Sequence, residues 1–121
     1  MSITEHELEE RAVGTRVTLA AVESNILFEY YFSAGDGVRE ASKTSSPMAG
    51  YAKPLDQLTF CVLVLKNGFT VTGQSACADP KNFQKDIGER IAREDAVRKI
   101  WPLLGYALRT HLHAQAHAQG E

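Results

Sequence analysis

The sequence predicts an α+β domain in which a small antiparallel β-hairpin is packed by three to four helices. Three observations carry that expectation. TFCVLVL, Thr59 to Leu65, is rich in β-branched and aromatic residues, and FTVTGQS, Phe69 to Ser75, follows it as a second strand. Asn67-Gly68 between them tolerates the positive φ angles of a tight hairpin turn. Asp79-Pro80 then puts a capping side chain and a residue without an N–H at a helix start, where the missing donor costs nothing.

A chain of 121 residues, 44% apolar and 23% charged, fits one domain around one core. The net charge of −2 excludes non-specific attraction to nucleic-acid polymers, although a local cluster of arginines can still hold one phosphate group. MSITEHELEERAVG has acidic residues where a secretion signal needs basic ones, and no apolar run approaches the roughly 20 residues of a membrane span. The expected location is the cytoplasm of the host cell. Cys61 and Cys77 are too few for a disulfide framework or a zinc site and are expected as reduced thiols.

Residues 1–16 form a polar N-terminal segment in which Thr4-Glu5-His6-Glu7 reads as a capping box and Gly14 as a stop. The single α+β domain is expected over residues 17–112. Thr18 caps a predicted helix reaching Phe32, because Leu19, Val22, Ile26 and Tyr30 recur at helical spacing. Phe28, Tyr31 and Phe32 widen its apolar surface, as in a helix that touches two neighbours. Residues 34–58 show no sustained period and are expected as a long loop, a lid or a free segment.

The hairpin spans residues 59–75. A two-residue turn sets Leu65 opposite Thr70, Val64 opposite Val71 and Val62 opposite Gly73. Phe60, Val62, Val64, Phe69 and Val71 then face the core. Cys61, Leu63 and Leu65 share the half-apolar outer face, which suits a subunit interface or a ligand floor. Residues 79–112 are the C-terminal helices, one running to Trp101 and bent or restarted at Pro102. Residues 113–121 are expected as a loose tail.

At about 100° per residue, Phe83, Ile87, Ile91 and Trp101 fall on one side of the first of these helices, with Arg90, Glu94 and Arg98 among them. Two readings are open: an Arg–Glu–Arg ladder at the core edge, or guanidiniums awaiting an outside anion. Gly88, Ala92 and Ala96 line another side and suit close packing. His111, His113 and His117 have metal-ligand spacing only on a stable helix, with no acidic or thiol ligand nearby, so no metal site is expected. No catalytic motif is present, and the pattern points to a binding module that needs no cofactor rather than an enzyme.

Four blocks carry a family likeness: CVLVLKNGFTVTG (Cys61 to Gly73), SACADPKNF (Ser75 to Phe83), IGERIAREDA (Ile87 to Ala96) and KIWPLLG (Lys99 to Gly105). Over roughly residues 17 to 112 the chain resembles the small tailed-phage Gp49-like proteins. It is similar among them to the first type of Thoeris anti-defence sponge, which sequesters a cyclic ADP-ribose-type signal, and in some members cyclic oligonucleotides, without degrading it. The resemblance implies a homo-oligomer built from dimers, up to a hexamer, with nucleotide pockets between protomers. A sponge of that kind needs a stacking surface for a base, guanidiniums for a pyrophosphate and polar groups for ribose hydroxyls, and the residues expected to supply them are Phe69, then Arg90, Arg93 and Arg98, then Asp79 and Asn82. The helix N-terminus at Pro80 would add amides for phosphate. The rival expectations are a protein-interaction module and a nucleotide hydrolase using Asp79 or a histidine.

Overall fold

In the computed structural model, residues 2–45 and 50–120 are described. Thr4 caps α1 (Glu5–Arg11) by accepting the Glu7 amide at 3.1 Å, and Thr18 caps α2 (Leu19–Ser24) by accepting that of Ala21 at 3.0 Å. The chain continues through β1 (Ile26–Ser33), α3 (Ala34–Ser45), a 3₁₀ turn (Lys53–Gln57), β2 (Leu58–Leu65) and β3 (Thr70–Ala76). A second 3₁₀ turn (Pro80–Asn82) leads into α4 (Lys85–Gly120). Among the described residues this is an α+β fold, a three-stranded antiparallel sheet in the order β1-β2-β3 with four helices.

Four sequence expectations are corrected. The helix predicted to reach Phe32 stops at Ser24, and Ile26 to Ser33 forms a third strand. Ile26 and Tyr30 extend the helical stripe of Leu19 and Val22, but Phe28, Tyr30 and Phe32 also fit a strand's period of two, and pairing with β2 decides between the two. The 34–58 loop is largely ordered. Ser33 Oγ accepts the Asp36 amide at 3.0 Å and Asp36 Oδ2 accepts the Ser33 amide at 3.1 Å, a reciprocal cap that starts α3. Residues 46–49 of that stretch lie outside the described residues.

The hairpin register is shifted by one. The Gly68 amide donates to Leu65 O at 2.9 Å, the Leu65 amide to Phe69 O at 2.8 Å, and Gly68 takes φ +88°. The loop is therefore three residues, a type I turn closed by a glycine bulge, and Val64 pairs with Thr70, Leu63 with Val71 and Cys61 with Gly73. A one-residue slip exchanges the faces. Cys61, Leu63 and Leu65 are the core face, while Phe60, Val62 and Val64 share the other face. Phe69 leaves the ladder and is 55% exposed.

The fourth correction concerns the C-terminus. A single helix, α4, passes through Pro102 and continues to Gly120, where a loose tail was expected. Ala114, Ala116 and Ala118 with Gln115 and Gln119 are strong helix formers, and adding turns to a formed helix requires no new nucleus.

The inner sheet face packs on α4. Val22, Cys61, Leu63, Leu65, Val71, Ala92, Ala96 and Ile100 are the buried core, flanked by Tyr31, Trp101 and Leu104. Gly73 makes the contact tight: a Cβ there would collide with the Ala92 carbonyl and the Ala96 amide. The predicted small stripe is thus a packing seam, with Gly88 against Thr59. On the outer sheet face the side chains form three rows, Phe28–Val64–Thr70, Tyr30–Val62–Thr72 and Phe32–Phe60–Gln74.

Candidate ligand-binding surface

Arg93 projects from α4 toward β1 and α2. Its Nε donates to Glu29 Oε1 at 2.7 Å, and its two terminal nitrogens donate to the Glu23 carboxylate at 2.7 and 3.0 Å. Glu29 also accepts the Tyr31 hydroxyl at 3.0 Å. The hydrogen bonds from Arg93 hold the Glu23 and Glu29 carboxyls below the usual carboxylate range, and the same bonds raise the guanidinium further. Burial pushes the Tyr31 hydroxyl and the Cys61 thiol upward. Arg93 is therefore a tie between α4, α2 and β1 that is already neutralised by the protein's own acids. Its two glutamates are the partners that sequence reasoning missed. They lie 70 and 64 positions away, and no local period pairs them.

The other arginines differ. Arg98 bonds Asp95 at 2.8 Å with its side chain 68% exposed, not Glu94 as a ladder would require. Arg90 is exposed, and among the described residues it has no acidic partner. The Arg90–Glu94–Arg98 ladder does not form.

Asn82 and Asp79 sit at the 3₁₀ turn. Asp79 Oδ1 accepts the Lys81 amide at 2.9 Å, so its capping role holds. The expectation of a long helix beginning at Pro80 is corrected, since that turn ends at Asn82 and α4 starts at Lys85. Asn82 lines a groove of about 140 Å³ with Cys77, Phe83, Ile87 and Ile91. Arg90 precedes Ile91 in the chain on that groove's helix. Phe69 lines a separate groove of about 220 Å³ with Asn25, Leu103 and Leu104.

These grooves touch α4 at levels about 16 residues apart, roughly 24 Å at 1.5 Å per residue. One chain brings Asp79, Asn82 and Arg90 to one end and leaves Phe69 at the other. Both grooves also fall below the roughly 300–1,000 Å³ of a site that encloses a small molecule. A third cavity of about 290 Å³ is lined by Ser33, Asp36, Asp56, Lys85 and Glu89. Three carboxylates against one lysine make it unsuitable for phosphate.

No group of three or more metal-ligating side chains occurs among the described residues, and no described helix is long and apolar enough to cross a membrane. The family described as "Phage protein (N4 Gp49/phage Sf6 gene 66)" matches residues 17–112. No curated protein and no solved structure matches the chain.

Proposed function

The chain belongs to the N4 Gp49/phage Sf6 gene 66 family of phage proteins, and from that premise we propose that it binds and withholds a cyclic nucleotide immune signal without degrading it. The ligand class is the cyclic ADP-ribose type, with cyclic oligonucleotides as a second class. The observation that carries this reading is Arg90, an exposed guanidinium with no acidic partner among the described residues, on the helix that walls the Asn82 groove. A guanidinium in that state can take a phosphate at no cost in internal ion pairs, whereas Arg93 would first have to release two glutamates.

The groove sizes support a site shared between protomers of a homo-oligomer. A second chain could bring its own Phe69 end to the Asn82–Arg90 end of the first, supplying the stacking wall that one chain keeps about 24 Å away. Asp79 and Asn82 would then meet ribose hydroxyls, with Arg90 on the pyrophosphate and Arg98 as a further cation able to leave its exposed partner Asp95.

The test is incubation of the protein with a cyclic ADP-ribose-type nucleotide, followed by removal of free ligand and heating. Release of intact signal is the expected result. Recovery of an altered nucleotide would identify a hydrolase, and absence of retention would favour a protein-interaction module. Arg90→Ala should lower retention at least about tenfold with an unchanged urea midpoint, because Arg90 holds nothing in the fold. Arg98→Ala should have a smaller effect in the same direction.

A further inference from the structure

The spacing of the C-terminal histidines suits a metal ion only on a formed helix, and α4 supplies that helix by continuing to Gly120. We propose that His113 and His117 form a two-imidazole site for one divalent transition ion of the Ni²⁺, Cu²⁺ or Zn²⁺ class, and that the bound ion clamps the last turns of α4. Both residues lie beyond residue 112, where the family match ends, and neither takes part in the nucleotide reading above.

Helical geometry selects this pair among the three histidines. At about 100° per residue, His117 stands about 40° round the helix from His113 and about 6 Å along it, whereas His111 stands about 160° away. Residues four apart have Cβ atoms about 5–6 Å from each other. Helical side chains lean toward the N-terminus, which brings the His117 ring over the turn that carries His113. Their ring centres are accordingly 4.3 Å apart, with the planes at 70°. Metal–nitrogen bonds of about 2.0–2.1 Å set two nitrogens on a tetrahedral ion about 3.3 Å apart. Rings this close reach that separation by turning about their own side-chain torsions, and the backbone stays in place. Both residues are exposed, which leaves the other positions of the ion to water.

The donor set decides the class of ion. Imidazole nitrogen suits Ni²⁺, Cu²⁺ and Zn²⁺, whereas Mg²⁺ and Ca²⁺ require oxygen ligands. No acid occurs between Asp95 and Glu121, so this stretch of helix offers hard cations no carboxylate. Once one imidazole is bound, ligation by the other is intramolecular, at an effective concentration on the order of millimolar. That gain exists only while residues 113–117 are helical, so the ion stabilises the helical form by mass action. Residues 113–119 are all exposed, and no packing against the core holds these turns.

The test uses the full chain, stripped of metal by a chelator, with Ni²⁺ alone as the probe. Calorimetry at neutral pH should show one ion bound per chain, and Mg²⁺ should give no binding. His113→Ala and His117→Ala should each weaken Ni²⁺ binding at least about tenfold. His111→Ala and His6→Ala should leave it unchanged; His6 is the control because it pairs with Glu10 at 2.9 Å on α1, the other place where a side-chain pair could chelate. Hydrogen exchange at the amides of residues 114–120 should slow on adding Ni²⁺ to the native chain and not on adding it to His113→Ala. A native chain that binds no Ni²⁺, an equal loss in His111→Ala or His6→Ala, or exchange in the tail that Ni²⁺ does not slow would overturn the proposal.

Discussion

Arg93 and Arg90 lie three residues apart on one helix and have opposite situations. Arg93 is held on three bonds by Glu23 and Glu29, while Arg90 is exposed with no acidic partner among the described residues. Arg93→Ala should therefore destabilise the fold by about 1–2 kcal/mol at neutral pH, a value reduced by the partial exposure of the glutamates. The sign of its pH dependence follows from the carboxyls, which Arg93 holds below their ordinary range. Their contribution is complete above the unfolded value of about 4.3 and is lost as pH falls through the lower folded values. Urea unfolding of native and Arg93→Ala protein at pH 7 and pH 3 should show the gap between them shrinking in acid. A constant gap would assign the effect to packing of the arginine stem.

At the scale of elements, the fold depends on how closely α4 lies on the sheet. Gly73, Ala92 and Ala96 set that distance, since the helix backbone occupies the space a Cβ at position 73 would need. Gly73→Ala should cost about 3 kcal/mol or more, because neither the Ala92 carbonyl nor the Ala96 amide can move without the helix. Thermal unfolding is the measurement, and a loss below about 1 kcal/mol would mean that α4 shifts freely on β3. Pro102 shows the tolerance at the other end. It removes one hydrogen bond from α4, yet the helix continues, with Ile100 buried and Trp101 and Leu104 packed on the core to either side.

For the whole molecule, lengths decide what belongs to the domain. The 36 residues of α4 span about 54 Å and the eight of β2 about 27 Å, so roughly half of the helix projects beyond the sheet. The family match ends at residue 112, within that projection. Ending the chain after Leu112 should change the melting temperature by no more than about 2 °C while reducing helical ellipticity. A larger loss would show that the last turns stabilise the domain.

The sequence alone determined the elements whose signals are local. The caps at Thr4, Thr18 and Asp79, the turn at Gly68, both hairpin strands and the packing stripe of Gly88, Ala92 and Ala96 all rest on neighbouring residues, whereas the Ser33–Asp36 cap of α3 fell in a stretch expected as loop. Of the candidate site, the capping role of Asp79 follows from residues close in the chain, whereas Arg90, placed by helical spacing on the apolar side of its helix, is shown to be exposed only by the structure. Tertiary structure alone decided the strand at Ile26–Ser33, the inner face of the hairpin and the capture of Arg93. Each is a choice between two locally permitted states: a stripe that fits period 2 or 3.6, a turn of two residues or three, a guanidinium paired inside or out. Such near-degenerate choices are settled by groups far away in sequence, here the edge of β2, the backbone of α4 at Gly73, and the carboxylates of Glu23 and Glu29.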